Sequence, residues 1–335
     1  MNKLVAITIG DINGIGIEIL IKTWQEKKIK NFILLTNINI LNKLLKRRKI
    51  KLKLNLVNYK KNKFIYNKEK FNIFSYSANS LEDNTYKSLK YGYNLCKNKK
   101  CIGVITLPLR KDLIKNKINK NFIGHTEYFQ KKDKKNNVNM ILFHKKIIIS
   151  PLTTHIEVKK ISKVISKKTY LFNQIYNLNK TLKLDFNIKK PKLVISGLNP
   201  HAGENGEIGT EEIQIIHPVI KKLQKKDVNI NGTFSADSLL IKENIDKFDC
   251  FIFIYHDQAL IPFKFISQFS GVNYTGNLNI IRTSPDHGTA YNLLGSNKIS
   301  NKSFINSYKL INKIYNNRII NGKTKKIIKS KFSNR

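Results

Sequence analysis

Cysteine is scarce in this chain: Cys96, Cys101 and Cys250 are all it has among 335 residues. They are odd in number and none forms a C-x-x-C pair, so neither a disulfide framework nor a zinc knuckle is indicated, and all three read as buried thiols. Long apolar runs are also missing. None approaches the roughly 18 residues that a membrane-spanning helix requires, so a membrane partner is not expected. No Pro/Gly/Ser linker marks a domain boundary, and no internal repeat is present. Acidic residues are the remaining shortage, with Asp+Glu 22 against Lys+Arg 62 and a formal net charge of +40. Such a balance raises a polyanion as partner, and a basic nucleic-acid-binding protein without catalysis is the alternative of a different class. The distribution argues against it. Lysines run the length of the chain beside Asn and Ile, with denser stretches at Lys43 to Lys53, Lys60 to Lys70 and Lys323 to Lys331, and form no single stripe interleaved with aromatics. Compositional drift accounts for this pattern. The expectation is therefore nonspecific, salt-sensitive adhesion to polyanions and no specific nucleic acid.

Hydrophobic residues make up 41% of the chain, a globular value, and the length allows two domains. KLVAITIG (3 to 10) is an apolar run ending in glycine, and DINGIG leads into a helical stretch from about Ile15 to Glu26. The first strand begins almost at Met1 and leaves no room for a signal peptide, so a cytoplasmic location is expected. Strands are expected at 31 to 36, 51 to 57 and 101 to 108, a strand pair at 140 to 150, and further strands at 192 to 196, 228 to 232 and 250 to 255. Helices are expected at 81 to 96, 157 to 176 and 211 to 224, with an amphipathic stretch at 303 to 315 and fraying after Gly322. Strands alternating with helices imply an α/β fold with a largely parallel sheet. Gly10, Gly14 and Gly16 read as turn glycines needing positive φ. The segment lacks the G-x-G-x-x-G spacing, and the acidic residue about 20 positions on, that a Rossmann fingerprint requires.

Three histidines carry most of the chemical information. His155 lies in LTTHIEVKKIS (152 to 162), His201 in SGLNPHAGENGEIGTEE (196 to 212) and His256 in YHDQALIPFK (255 to 264). Each follows an apolar, β-favouring run, and open α/β sheets bind ligands beyond the carboxyl ends of their strands. Three neutral imidazoles converging there would make an open divalent-metal site.

With TIGDINGIGIE (8 to 18), GHTEYF (124 to 129), GVNY (271 to 274) and IIRTSPDHGTAYNLLG (280 to 295), these segments span nearly the whole chain in a fixed order. The chain resembles the 4-hydroxythreonine-4-phosphate dehydrogenase (PdxA) family of the pyridoxal phosphate pathway, within the wider isocitrate/isopropylmalate dehydrogenase-like group. The resemblance implies two α/β/α domains with a cleft between them: 1–150 with 290–335 on the cofactor side, and 151–289 on the metal and dimer-interface side. It implies that His155, His201 and His256 hold zinc, magnesium or cobalt in a homodimer whose active site draws on both subunits. Substrate contacts map onto His125, Thr126, Lys264, Asn273 and Arg282, and the adenine-binding loop of NAD(P) onto Asp286, His287, Gly288, Thr289 and Ala290. Asp237 and Asp257 are candidates for proton transfer or for orienting a ligand. The implied reaction oxidises 4-phosphooxy-L-threonine, whose product decarboxylates to 3-amino-2-oxopropyl phosphate. A relative acting on threonate or erythronate phosphate is the nearest alternative. Departures from the family pattern are Ile9, Ile12 and Ile17 where prolines are usual, Ala259 in place of glycine, and the loop TGNL at 275 to 278.

Overall fold

A computed structural model describes residues 3–60, 63–296 and 298–333, the side chains of 58–60, 63–64 and 323–333 excepted. The lysines from Lys323 to Lys331 therefore lie, as side chains, outside the described residues, as does part of the run from Lys60 to Lys70. The chain divides into two compact units, Met1–Lys134 with Leu278–Tyr315, and Lys135–Asn277 with Asn316–Arg335.

The first unit opens as strand, loop and helix: β1 (Val5–Thr8), α1 (Gly16–Gln25), β2 (Phe32–Leu35) and α2 (Ile38–Arg47). β3 (Leu54–Leu56) follows, then the small antiparallel pair β4 (Asn58–Lys60) and β5 (Lys63–Ile65), then β6 (Phe71–Phe74), α3 (Leu81–Lys97), β7 (Gly103–Thr106), α4 (Lys111–Lys117) and α5 (His125–Lys132). β1, β2 and β7 are buried along their whole length, as expected of parallel strands covered on both faces. Capping sets the helix starts. The Asn37 side chain accepts from the Ile40 N–H, and the Ser80 hydroxyl accepts from the Asp83 N–H at 3.0 Å.

The second unit begins with the hairpin β8 (Asn139–His144) and β9 (Ile147–Pro151), followed by α6 (Ile161–Ile165) and α7 (Lys168–Asp185). It continues through β10 (Leu193–Ser196), α8 (His217–Gln224), β11 (Ile230–Phe234), α9 (Lys242–Lys247), β12 (Cys250–Phe253), α10 (His256–Ser267) and β13 (Val272–Gly276). β14 (Arg282–Pro285) returns to the first unit, and α11 (Lys302–Ser333) runs past Gly322, where the sequence predicts fraying.

Strand order in the first unit is β14-β7-β1-β2-β6-β3, parallel throughout. In the second it is β11-β10-β12-β9-β8-β13, parallel from β11 to β9 and antiparallel at β9-β8-β13. The largely parallel α/β arrangement is thus as read from the sequence, with the hairpin supplying the antiparallel exception.

Local differences have identifiable causes. The helix expected over 157 to 176 is broken at Ser166 and Lys167, and the one expected over 211 to 224 begins as a π-helical turn at Glu212–Ile216. Of the three early glycines only Gly10 has positive φ, at +64°. Gly14 is required for close approach instead, since a Cβ there would lie 2.9 Å from the Thr289 carbonyl oxygen. All three cysteines are buried, as predicted, and burial pushes the Cys101 thiol up to about 12. Among the described residues no helix is long and apolar enough to cross a membrane.

Candidate active site

Parallel register brings two of the three histidines together. β9 and β12 pair with Pro151 opposite Phe253, and the ladder continues as the Leu152 N–H donates to the Phe253 carbonyl and the Thr153 N–H to the Ile254 carbonyl. Both chains then leave the sheet side by side, His155 two residues after Thr153 and His256 two after Ile254. Their ring centroids lie 5.7 Å apart. Two imidazoles sharing one cation through bonds of ~2.0–2.1 Å would have centroids about 5–6 Å apart, so the pair fits a common ion. His256 is the first residue of α10, not part of a loop. Its Nδ1 lies 2.6 Å from Asp257 Oδ1. With the proton on Nδ1, donated to that carboxylate, the Nε2 lone pair is left for a ligand. Gln258, for which the sequence reading gave no role, ties this turn to the neighbouring strand: its Oε1 accepts from the Ile254 N–H at 3.1 Å and its Nε2 donates to the Gly197 carbonyl at 3.2 Å.

His201 follows β10, which pairs with β12, so all three histidines come off the carboxyl ends of adjacent parallel strands. Among the described residues of one chain, however, no group of three or more His, Cys, Asp or Glu forms a metal site. His201 lies close enough to Asp237 to act on its charge. The Asp237 carboxyl sits below the usual range, held there chiefly by a hydrogen bond with Ser235, then by the Ser238 N–H, with His201 adding to the effect.

The first unit holds a second cluster. Arg282, at the start of β14, is 2% exposed, and its Nε and Nη2 both donate to Thr106 Oγ1, at 3.0 and 2.6 Å. Burial lowers its pKa to about 10, and Glu127 opposes the fall. His125, the first residue of α5, has a buried Nε2 with no hydrogen-bond partner. Desolvation, with Arg282 and Lys111 adding positive charge, holds the His125 pKa well below the ordinary 6.5. It is neutral at neutral pH. A buried guanidinium beside a neutral, unpartnered imidazole suits an anionic ligand that brings its own acceptor oxygens. Thr126 adjoins His125 on α5, whereas Lys264 on α10 and Asn273 on β13 belong to the second unit. Lys264 is exposed, and the Asn273 Oδ1 is buried without a partner.

His125 also sets a pH dependence. A histidine whose folded pKa is depressed leaves the unfolded chain binding more protons below about 6.5, so the stability it contributes is complete above that pH and is lost as pH falls through it. The wild-type Tm is therefore expected to fall more steeply than that of His125→Gln between about pH 7 and pH 5. Parallel unfolding curves across that window would contradict the assignment.

The segment from Asp286 to Ala290 packs against the turn after β1. The Ile15 N–H donates to the Thr289 carbonyl at 3.0 Å, the Tyr291 hydroxyl donates to Asp11, and the Asp286 N–H donates to Ser303 Oγ at 2.8 Å. His287 has a buried Nε2 without a partner, and nothing lies within 4 Å of where a Gly288 Cβ would be. The segment thus has an unused polar atom and open space beside its backbone, as a nucleotide-binding loop needs.

Parallel-strand ends bearing histidines, and a buried guanidinium with a neutral imidazole, define an α/β protein with candidate sites for a cation and for an anionic ligand. The fold superimposes on the solved structure of 4-hydroxythreonine-4-phosphate dehydrogenase from Klebsiella pneumoniae with a TM-score of 0.82 at 26% identity, covering 94% of this chain and 98% of that one. The chain belongs to the family of the pyridoxal phosphate biosynthetic protein PdxA, which matches residues 28–311. It is 35% identical over 321 residues to the 4-hydroxythreonine-4-phosphate dehydrogenase of Wigglesworthia glossinidia brevipalpis, covering 90% of this chain and 94% of that relative. It is 34% identical over 318 residues to the enzyme of the same name from Sulfurihydrogenibium sp. (strain YO3AOP1), covering 91% of this chain and 96% of that relative.

Proposed function

We propose that the chain oxidises the secondary alcohol of 4-phosphooxy-L-threonine with NAD(P), using a divalent ion, zinc, magnesium or cobalt, held by His155, His201 and His256. Loss of a hydride and the hydroxyl proton gives 2-amino-3-oxo-4-phosphooxybutanoate, a β-keto acid that releases carbon dioxide to yield 3-amino-2-oxopropyl phosphate. The observation that carries the reading is the His155–His256 pair, 5.7 Å apart with Asp257 behind it, in a chain of this family. A bound cation supplies Lewis acidity toward the substrate's oxygens and the nicotinamide supplies a hydride acceptor.

The chain's own residues hold and orient. Arg282 offers a planar fork and Lys264 a point charge for phosphate and carboxylate, and neutral His125 with Thr126 adds uncharged hydrogen bonds. The Asn273 Oδ1 is an acceptor for the substrate's ammonium group. Asp237, ionised at neutral pH, receives a proton, and Asp257 keeps one on His256 Nδ1. Asp286, His287, Gly288, Thr289 and Ala290 take the adenine end of the cofactor.

A homodimer that completes the site belongs to the same proposal. On α10, the helix that begins at His256, Ile261 and Phe265 at four-residue spacing form an apolar stripe, 70% and 78% exposed, and Phe269, two residues past the helix end, is 63% exposed. A second copy covering that stripe would bring its own ligands beside the His155–His256 pair. A cytoplasmic location belongs to the same proposal.

Reduced nicotinamide formation is expected from 4-phosphooxy-L-threonine with metal restored, at a kcat/KM well above that for threonate or erythronate phosphate. No turnover of the first substrate, with turnover of either of the others, would hand the assignment to the rival dehydrogenase.

A further inference from the structure

The loop carrying His201 is built against the preference of its residues. His201, Ala202, Gly203, Glu204 and Asn205 have φ of 50°, 54°, 83°, 40° and 56°, so five consecutive residues, only one of them glycine, are left-handed. L side chains meet a steric penalty there, and such a run persists only when its surroundings over-determine it.

Glu212 supplies the constraint. Its carboxylate, 1% exposed, accepts from the Leu198 N–H at 2.7 Å and the Asn199 N–H at 2.9 Å through Oε1, and from Asn199 Nδ2 at 3.0 Å through Oε2. Glycines make room for it. A Cβ at Gly197 would lie 2.9 Å from Oε1, and one at Gly203 would lie 2.7 Å from Oε2. These hydrogen bonds go to the two residues before Pro200, so the buried charge grips the entrance of the left-handed turn, while Gly203 inside the turn packs against the same carboxylate. The carboxylate projects from the first residue of the π-helical turn, an irregularity often retained at functional sites.

We propose that Glu212 is the positioning residue for His201, fixing the left-handed turn so that the imidazole is pre-set to bind a divalent cation. The inference rests on the ligand reading of His201 given above. An outer group that orients a metal ligand typically contributes about 10–100-fold in affinity.

The test uses cobalt(II) alone, titrated calorimetrically and by its visible absorption into metal-stripped full-length protein, at a temperature where every variant is folded. His201→Ala serves as comparator. Glu212→Ala is expected to weaken cobalt binding by about 10–100-fold and to alter the ligand-field bands. Glu212→Gln should lose less, because its one carbonyl oxygen keeps both backbone N–H donors. Should the alanine variant not fold, Glu212→Asp carries the same test: it keeps the charge, falls one methylene short of the loop, and should also weaken cobalt binding. A merely structural Glu212 would lower the Tm of the metal-free protein and leave affinity and spectrum of the folded molecule unchanged. That result, beside a His201→Ala that loses cobalt, overturns the proposal. A His201→Ala that binds cobalt normally overturns the ligand reading and this inference with it.

Discussion

His256→Ala is expected to lower kcat/KM by at least about 10³-fold, with loss of one equivalent of tightly bound divalent metal per site, while the fold stays intact. Several hydrogen bonds hold the turn without the imidazole. The Thr153 hydroxyl and N–H both donate to the Ile254 carbonyl, and Gln258 spans from Ile254 to Gly197. The metal-free Tm should therefore move by only a few degrees, as about 1 kcal/mol or less implies for a chain of this size. Asp257→Asn is the graded control. It keeps an acceptor near His256 Nδ1 but removes the carboxylate charge that orients the ring, so metal affinity should fall by about 10–100-fold and not vanish. Retained turnover in His256→Ala, or an asparagine variant as impaired as the alanine one, would refute the ligand role. Metal content by elemental analysis, beside steady-state kinetics, separates the two.

This experiment bears on the part of the site that was readable in advance. Strand ends were legible because a buried parallel strand needs an unbroken apolar run, and IIIS, KLVIS and CFIFI each stop where the chain must meet solvent. The structure ends β9, β10 and β12 within two residues of those stops. The helix after the third stop was not legible, because HDQALIPFK carries Pro262 in mid-helix and its exposed face is apolar, which blurs the 3.6-residue period. The left-handed turn at His201 was hidden for another reason. A single glycine among five residues gives no positive-φ signal, and the constraint comes from Glu212, eleven positions on. The reading of Gly14 and Gly16 as positive-φ glycines failed because a tight contact with Thr289 or Leu107 leaves the same sequence mark as a left-handed turn. The expected three-histidine grouping rests only on the ordered motifs of a family, since ligands so distant in sequence have no spacing of their own, and within one chain the structure pairs only His155 and His256.

For Arg282, opposite movements of stability and activity are expected. Arg282→Met should leave the Tm unchanged or raise it, by about 1–4 kcal/mol in stability at most, because a buried ion replaced by an apolar side chain of similar length often stabilises a protein. The guanidinium is 2% exposed, and the desolvation that lowers its pKa is the cost the fold bears for holding this charge. The same change should depress kcat/KM by at least about 10²-fold, mainly through KM, as the phosphate contact proposed for Arg282 is lost. Arg282→Lys discriminates further. A lysine could not reproduce the paired donation from Nε and Nη2 to Thr106 Oγ1 while facing a ligand as well, so the conservative change should be nearly as damaging as methionine. Inorganic phosphate gives a readout independent of turnover: at millimolar concentration it should raise the Tm of the wild type by linkage and do less for either variant. A Tm that collapses in Arg282→Met, with activity per folded molecule preserved, would make Arg282 a structural residue and move the phosphate site elsewhere. The expected pattern, greater stability with lost binding, is what a buried cation kept for its ligand produces, because the interaction that offsets its desolvation arrives only with the substrate.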